Sequence, residues 1–425
     1  MISTRMRALV ISDTHFGAWT GEDLLREPDA LELLAPALDV DEVIFLGDMF
    51  DLMFARIRDS FEAAQGLLEL LRDKLQGKRF VFLAGNHDHH FVIREAEDLL
   101  ELALATGRTV GELSGDLRRV DLLRLFLERH LEGVEVDIRY PTYTFAGVLC
   151  THGHYLDLHA SRSGGGATRL LSRALWSIAV GGQERSPTIA DYEATASLLT
   201  GLLYTIAQLP NGTDAQRHAF RAFQSLGHVV HLSASPVRAA EKLRSWSEEH
   251  LARREPADRG PAGGLAADGY RAARHQEMMR RQRTGAPAGG EASSYAFARS
   301  VAPGDPFYRA VEAFEKVVVN LGWSSETRNI VFAHTHQPLD GVSGPGKQFR
   351  YWNTGSWIYE PDLRSSSAYI AYLRNAWPGT AVLIDSDEAE PRLLRLREHL
   401  NPLHEAANGE SVGESGGVPE ARLRR

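Results

Sequence analysis

Five short apolar runs in this chain are each followed, directly or after one intervening residue, by aspartate, asparagine or histidine. The runs are ALVIS, EVIFL, RFVFLA, AGVLC and NIVFA, and the residues that follow them are Asp13-Thr14-His15, Gly47-Asp48, Gly85-Asn86-His87-Asp88, Thr151-His152-Gly153-His154 and His334-Thr335-His336. Short runs rich in β-branched and aromatic residues are typical of buried strands. The fold must therefore place ligand-type side chains at the ends of five buried strands.

The first 150 residues alternate such strands with helical patterns. In DSFEAAQGLLELLRDKL the apolar residues recur at about 3.6-residue spacing, which predicts an amphipathic helix. Strands separated by helices predict βαβ units and a largely parallel sheet, and YTFAGVLC is interpreted as one further strand. Because parallel strands end at the same edge of a sheet, the polar motifs are expected to meet there.

The domain organisation follows from a change of pattern near residue 155. TRLLSRALWSIAVGG, YEATASLLTGLLYTIAQL and FYRAVEAFEKVVVNLG predict helices, and strand patterns return with NIVFA, FRYWN, SAYIAYL and TAVLI. We therefore predict an α/β core in two parts, residues 1–154 and 326–400, which a helical insertion at residues 155–325 interrupts. Composition predicts a flexible segment at residues 253–300 and a disordered tail at residues 401–425.

Composition narrows the classes of function. The 425 residues carry a formal charge of −9, which disfavours a nucleic-acid partner bound through a broad basic face. The single cysteine, Cys150, is expected to be a small buried hydrophobe. The apolar run Ala8–Ile11 is too short for a signal peptide, and no run reaches the roughly 18 residues of a transmembrane helix. We therefore expect a soluble, cytoplasmic protein.

The chemistry of the five motifs is coherent. Taken singly, each motif is explained by a turn, a helix cap or a solvated histidine. Taken together they offer imidazole, carboxylate and amide ligands without thiolate, a set that suits Mn²⁺, Fe or Zn²⁺. Two metals roughly 3.5–4 Å apart can share a carboxylate and stabilise an in-line phosphoryl displacement.

In their order along the chain, the motifs Asp-x-His, Gly-Asp-x-x-Asp, Gly-Asn-His-Asp, His-Gly and His-x-His resemble those of the calcineurin-like metallophosphoesterases. The resemblance covers residues 8–154 and 330–384. It implies a four-layer α-β-β-α sandwich with a dinuclear metal centre that holds Mn, Fe or Zn.

The resemblance also implies roles for individual residues. It gives seven metal ligands: Asp13, His15 and His336 for one ion, Asn86, His152 and His334 for the other, and Asp48 as the bridge. His87 matches the family's catalytic histidine, and Asp51 matches the carboxylate that orients it. A helix N-cap is the alternative role for Asp51. Asp88 is expected to anchor its loop by accepting backbone hydrogen bonds.

The implied activity is phosphoester hydrolysis, in which a hydroxide that bridges the metals attacks phosphorus in line. The motifs leave phosphomonoesters, phosphodiesters and pyrophosphates open, so that a phosphatase and a phosphodiesterase both fit. Leu52-Met53 stand where protein serine/threonine phosphatases carry Arg-Gly, which disfavours that branch. The alternatives are a metal-dependent nuclease and a scaffold that has lost catalysis.

Substrate choice is expected to depend on the insertion and on nearby histidines. His89, His90 and His154 are candidates for contact with substrate phosphate. The alternative is that they lie behind the metal ligands or at the protein surface. Apolar segments such as SLLTGLLYTIAQL either pack within the protein or form a lid over a lipid-like or nucleotide-linked substrate. Peripheral membrane contact is a further alternative. The bacterial UDP-diacylglucosamine pyrophosphohydrolases also carry a helical lid there, but they have Arg at the position of His87. The sequence makes no prediction of oligomeric state.

Overall fold

The computed structural model describes residues 5–18, 23–92, 121–160, 186–194, 204, 207–208, 308–323, 327–360 and 366–403. Eleven strands lie in these ranges: β1 (Arg7–Ile11), β2 (Glu42–Leu46), β3 (Arg79–Leu83), β4 (Glu135–Arg139), β5 (Thr142–Phe145), β6 (Val148–Thr151), β7 (Asn329–Phe332), β8 (Leu339–Ser343), β9 (Arg350–Asn353), β10 (Thr380–Asp385) and β11 (Arg392–Arg395). The α-helices in the same ranges are α1 (Pro28–Leu34), α2 (Ile57–Ala63), α3 (Gln65–Lys74), α4 (Asp121–His130), α5 (Asp157–Ala160), α6 (Tyr308–Asn320) and α7 (Ser366–Asn375).

The first sheet has the strand order β11-β10-β1-β2-β3-β4. Strands β1 to β4 are parallel, with Leu9 opposite Val43 and Val43 opposite Phe80. The prediction of a parallel sheet is therefore confirmed for the N-terminal strands, while β10 and β11 are antiparallel additions at one edge. As a result the carboxyl ends of β1, β2 and β3 lie side by side.

The second sheet has the order β5-β6-β7-β9-β8. Strands β6 and β7 pair in parallel, with Cys150 opposite Val331, although the predicted insertion separates them in the chain. The carboxyl ends of β6 and β7 are therefore neighbours. The interpretation of YTFAGVLC as one strand is wrong: Ala146 and Gly147 both have positive φ and form a turn that folds it into the antiparallel pair β5 and β6. A two-residue turn of this kind matches the twist of a hairpin, and Gly147 adopts it without steric cost.

The strands alternate their side chains between two apolar layers. Between the two sheets Val10, Ile44 and Val81 of the first meet Cys150 and Val331 of the second. Burying one such aliphatic side chain contributes about 1.5–3 kcal/mol to the free energy of unfolding. Cys150 is fully buried there, so that its predicted role as a hydrophobe is confirmed.

Helices cover the outer faces of both sheets. Leu68 and Leu71 of α3 and Leu127 of α4 belong to the same core as the outward residues of β1 to β3. Phe314 and Val317 of α6 pack against the outer face of the second sheet. The order helix, sheet, sheet, helix is the four-layer sandwich that the resemblance implies.

The helix predicted from DSFEAAQGLLELLRDKL is present as two helices, α2 and α3, which meet at Ala64. The helix predicted from FYRAVEAFEKVVVNLG is α6. The strand predicted from SAYIAYL is wrong, because these residues lie in α7. SAYIAYL is short enough to fit both the two-residue period of a strand and the 3.6-residue period of a helix. In α7 the Asn375 side chain donates to the carbonyl of Ala371, one helical turn earlier, and Leu373 packs against Trp377.

Several predictions fall outside the described residues. These are the helix TRLLSRALWSIAVGG, the flexible segment 253–300 and the tail from residue 404 onwards. Of YEATASLLTGLLYTIAQL, residues 192–194, 204 and 207 are described as helical, as predicted. In the part of the chain that the structure describes, no helix has the length and apolar character needed to cross a membrane.

Candidate metal centre

The five polar motifs meet at one end of the two sheets, and backbone hydrogen bonds join their loops. The loop after β1 is held to the loop after β2 by the bonds from the N–H of Asp13 to Gly47 O (3.1 Å) and from the N–H of His15 to Asp48 O (3.0 Å). The loops after β6 and β7 are held together by the bond from the N–H of Ala333 to His152 O (2.9 Å). The motif side chains are therefore fixed relative to one another by the backbone.

Positive φ angles are concentrated at this end. Five candidate ligands have them: Asp13 (48°), His15 (48°), Asp48 (52°), His334 (69°) and His336 (54°). Elsewhere in the described ranges only Ala146 and Lys347 share this conformation among non-glycine residues. The left-handed region costs about 1–3 kcal/mol per residue and persists where the surroundings enforce it, typically at functional sites. Aspartate, asparagine and histidine tolerate it better than most residues.

Asp13, His15 and His336 form one group of potential metal ligands. The Nε2 atoms of His15 and His336 face each other at 3.2 Å, and His336 Nε2 lies 3.3 Å from Asp13 Oδ1. Asp13 Oδ1 is buried and has no hydrogen-bond donor among the described residues, whereas Oδ2 accepts a hydrogen bond from Ser12 Oγ. Burial, together with the nearby His87, lowers the pKa of His15 to about 4, so that its imidazole is neutral at pH 7.

Asp48, His152 and His334 form a second group. His152 donates from Nδ1 to Leu46 O at 2.8 Å, which leaves Nε2 facing Asp48 Oδ2 at 3.3 Å. The same Nε2 lies 3.2 Å from Oδ1 of Asn86, so that the amide oxygen also points to this group. The predicted division of ligands between two ions is therefore matched by two spatial groups, and the ligand roles themselves stay a prediction.

Asp48 lies between the two groups. Its Oδ2 atom is 3.3 Å from His152 Nε2 and 3.8 Å from His15 Nε2, while Oδ1 accepts the backbone N–H of His87 at 2.8 Å. Burial opposes ionisation of this carboxyl, but the neighbouring imidazoles, His152 and His87 first, hold its pKa well below the usual range. An ionised carboxylate with one oxygen facing both groups has the position of a bridging ligand.

Two glycines make room for this carboxylate and its partner. A Cβ atom at Gly85 would lie 2.2 Å from Asp48 Oδ1, and one at Gly47 would lie 2.4 Å from His152 Nδ1. Gly47 also has a φ of 84°, which disfavours any other residue. The glycines of the Gly-Asp and Gly-Asn-His-Asp motifs are therefore required by close approach of the backbone.

His87 and Asp51 form a pair beside the first group. His87 Nδ1 and Asp51 Oδ1 are 2.6 Å apart, and the rings of His87 and His15 are 4.5 Å apart, edge to face. Burial opposes the charged imidazole, but the carboxylates of Asp48 and Asp51 outweigh it and raise the pKa of His87 to about 9. The contact with Asp51 at Nδ1 leaves Nε2 for another partner. The alternative role of Asp51 as a helix N-cap receives no support, because α2 begins at Ile57.

Asp88 ties two loops together. Its Oδ1 accepts the N–H of Gly85 at 2.6 Å and its Oδ2 accepts the N–H of Met49 at 2.8 Å. The side chain is fully buried. The prediction that Asp88 anchors its loop through backbone hydrogen bonds is therefore confirmed.

The donor set fits divalent cations. Its members are imidazoles, two carboxylates and one amide oxygen, a combination that borderline metals such as Zn²⁺, Mn²⁺ and Fe²⁺ accept. Among the described residues, the buried Asp13 Oδ1 has no hydrogen-bond partner, and the Nε2 atoms of His15 and His336 face each other at 3.2 Å. A cation between them would satisfy all three atoms. His334 and His336 lie beside partners that fix their rings, since Asp157 Oδ1 is 3.0 Å from His334 Nε2 and Glu360 Oε2 is 3.6 Å from His336 Nδ1.

The three histidines proposed for substrate contact lie in different surroundings. His90 stacks on Tyr204 with ring centroids 3.5 Å apart. His89 is fully buried and faces Glu193 at 2.8 Å, and His154 is 6 % exposed. Substrate contact by these three residues stays a prediction.

Sequence reasoning missed Asp157, Glu193 and Glu360. Asp157 stands three residues after His154, a candidate for substrate contact, and begins α5, so a carboxylate close to the His152 motif in sequence was an available signal. Glu193 comes from the predicted insertion, and its position in the sequence does not indicate which core residues it contacts. The hydroxyl of Thr354, which follows β9, lies 2.5 Å from Ser12 Oγ, so the loop after β9 contacts the loop after β1.

Comparison with known proteins gives one family. Residues 6–192 match the family model described as calcineurin-like phosphoesterase. The matched range contains the motifs from Asp13 to His152 and ends before His334 and His336. No curated protein matches the chain.

Proposed function

Residues 6–192 belong to the calcineurin-like phosphoesterase family, and on this basis we propose that the chain is a dinuclear metal-dependent phosphoesterase. One ion would be held by Asp13, His15 and His336, the other by Asn86, His152 and His334, and Asp48 would bridge them. The observation that carries the proposal is the position of Asp48 Oδ2, which faces an imidazole nitrogen of each group at 3.3 and 3.8 Å.

When bound, two divalent cations would supply Lewis acidity that neutralises charge on the phosphoryl oxygens and makes water a stronger acid. The residues of the chain would do the rest of the work. The backbone bond from the N–H of Asp13 to Gly47 O, 3.1 Å long, and the anchoring by Asp88 hold the ligand loops in place before substrate arrives. Pre-organised charge of this kind needs little rearrangement in the transition state.

His87 is proposed as the group that assists the leaving oxygen. Its Nδ1 is engaged by Asp51 at 2.6 Å, so Nε2 would carry the proton that the departing oxygen needs. Asp51 would fix the ring and stabilise the charged imidazole, the usual arrangement of an acid and its orienting carboxylate. Phe54 lies 5.6 Å from the ring of His87 and restricts it on another side.

Residues of the insertion contact the loops that carry the site, which supports a role in substrate choice. Gln208 donates to Ala55 O at 3.1 Å and accepts the N–H of Ile57 at 3.2 Å, so it binds the segment that follows Asp51. Tyr204 stacks on His90, three residues after His87. We propose that the insertion forms one wall of the substrate site and selects a phosphorylated small-molecule or lipid-like substrate.

A metal-reconstituted substrate screen tests this function. The full chain, loaded separately with Mn²⁺, Fe²⁺ and Zn²⁺, is assayed against aryl phosphomonoesters and phosphodiesters, nucleotides, pyrophosphates and phospholipid head groups. We expect hydrolysis of at least one class, with Asp48→Asn as the control for contaminating enzymes. Cleavage of DNA or RNA without cleavage of small esters would favour a nuclease, and inactivity towards all classes would favour a scaffold.

Asp157→Ala is expected to weaken binding of one cation without unfolding the protein. Asp157 Oδ1 lies 3.0 Å from His334 Nε2 and would orient that ring. Loss of a hydrogen-bond partner of a metal ligand typically weakens metal affinity or activity about 10–100-fold. The Asp157 side chain is 64 % exposed, so its removal leaves no buried cavity. Competition with a chromogenic chelator measures the dissociation constants, and we expect only the constant of the ion proposed to bind His334 to change.

Asp73→Ala serves as the matched control for that variant, because Asp73 is an exposed helical aspartate remote from the motif loops. Equal metal affinities in Asp157→Ala and Asp73→Ala would show that Asp157 does not position a ligand.

A further inference from the structure

A second polar cluster lies beside the proposed dinuclear centre and shares no residue with it. His89 follows β3, His154 follows β6, and Glu193 comes from the helical residues 189–194. One potential ligand atom from each lies within 4.8 Å of the other two, and all three residues are at most 6 % exposed. The cluster therefore joins two core loops to the insertion.

The imidazoles of this cluster are short of hydrogen-bond partners. Neither Nδ1 nor Nε2 of His154 has a hydrogen-bond partner in the described part of the chain, and neither has Nδ1 of His89. A buried polar atom left without a partner costs about 1–3 kcal/mol. A buried histidine with both ring nitrogens unsatisfied therefore calls for a ligand, and a cation would bind one of them directly.

The carboxylate of the cluster is held by hydroxyl groups. Tyr140 donates to Glu193 Oε1 at 2.5 Å, and the hydroxyl of Tyr155 contacts the same oxygen. Glu193 Oε2 faces His89 Nε2 at 2.8 Å. Outer partners that fix a carboxylate in this way are typical of protein metal sites.

We propose that His89, His154 and Glu193 form a third cation site, which takes a divalent ion of the zinc type and ties the insertion to the core. Two imidazoles and one glutamate are an established ligand set for Zn²⁺. Ligand atoms about 2.1 Å from a tetrahedral ion lie roughly 3.4 Å apart, which the spacing of this cluster accommodates. For His89 and His154 this role replaces contact with substrate.

The site would lie next to the dinuclear centre. The ring of His154 is 5.5 Å from that of His152 and 6.4 Å from that of His334, both proposed ligands of the second ion. Glu193 is the residue through which the insertion would reach this position. A cation there would hold part of the insertion at a fixed distance from the reacting phosphate.

Metal counting on the full chain tests the proposal. The apoprotein is titrated with Zn²⁺, passed over a desalting column and analysed by mass spectrometry of the metal. We expect three equivalents in the wild type, two in Glu193→Gln and three in the control Glu69→Gln, whose exposed side chain lies on α3. Equal zinc content in the wild type and Glu193→Gln would overturn the proposal.

Two further measurements keep the test independent of the folding of Glu193→Gln and of the proposed function. The first measurement uses Asp48→Asn, which is designed to empty the dinuclear centre. One equivalent of zinc in this variant, lost in the double variant Asp48→Asn/Glu193→Gln, supports the third site. Anomalous scattering at the zinc edge from crystals of the wild type locates the ions. A peak between His89, His154 and Glu193 supports the proposal, whether or not peaks occur at the strand ends, and its absence in zinc-loaded crystals refutes it.

Discussion

Asp48→Asn is expected to abolish phosphoester hydrolysis and to empty the dinuclear centre. The substitution keeps the size of the side chain and its hydrogen bond from the N–H of His87, but it removes the charge that faces both groups of ligands. Loss of the metal ions removes several kcal/mol of transition-state stabilisation, and because each 1.36 kcal/mol corresponds to a factor of ten in rate, we expect a loss of at least about 10²-fold. Steady-state kinetics with the best substrate of the screen measures the loss, and metal analysis measures occupancy.

Thermal unfolding separates loss of metal from loss of fold. Metal that binds only the native state stabilises it and raises the unfolding midpoint. The free energy of unfolding increases by about 2.7 kcal/mol when the free metal concentration is one hundred times the dissociation constant. We expect a larger metal-induced rise in the wild type than in Asp48→Asn, in which only the proposed third site would bind a cation. The metal-free midpoint is expected to be lower for the variant, because the ionised Asp48 carboxylate is stabilised by the imidazoles of His152 and His87. The metal-induced rise therefore has to be compared with the metal-free midpoint of the same variant. Wild-type activity with full metal content in Asp48→Asn would refute the dinuclear mechanism.

His87→Ala is expected to lower kcat by about 10²–10⁴-fold while metal content stays unchanged. The variant keeps the backbone N–H that binds Asp48 and removes only the imidazole, which neither group of ligands requires. The loss should depend on the leaving group. An alkyl phosphate needs a proton on its departing oxygen and should lose most, whereas a nitrophenyl phosphate, whose anion leaves unprotonated, should lose little.

The comparison of leaving groups decides between two roles of His87. An equal loss for alkyl and nitrophenyl esters would mean that the imidazole stabilises charge and donates no proton. Asp51→Asn, which keeps the size of the partner of Nδ1 but not its charge, is expected to reproduce part of the loss with the same dependence on leaving group. A His87→Ala enzyme as active as wild type on both esters would remove His87 from the mechanism.

The candidate ligands were predictable from sequence because both their type and their position are visible there. Asp13, Asp48, Asn86, His152 and His334 each come shortly after an apolar run, and parallel pairing brings the ends of such runs to one edge. Asp88 and Cys150 were predictable for similar reasons. A buried turn needs side-chain oxygens that accept hydrogen bonds from its backbone N–H groups, and a short apolar run is a usual place for a small hydrophobic side chain. Local pattern and elementary topology suffice for all of these.

The remaining features depend on distances that a sequence does not contain. Glu193 reaches His89 across 104 residues of chain, and no periodicity indicates that pairing. Glu360 has no motif to mark it. SAYIAYL was assigned to the wrong type of element because a run of seven residues, six of them apolar, fits a strand and a short helix equally well. In the structure Leu373 of this helix packs against Trp377.

The direct pairing of β6 with β7 has a consequence for how this architecture can diversify. The segment between His152 and His334 begins and ends on neighbouring strands whose register, Cys150 opposite Val331, is fixed by the sheet. The entropy of closing a flexible loop grows only logarithmically, by about 0.6 kcal/mol for each doubling of its length. Evolution can therefore lengthen, shorten or exchange this segment at little thermodynamic cost to the ligands at its two ends. Under the proposed function, substrate range and phosphoryl chemistry would therefore depend on separate segments of the chain, which can change independently.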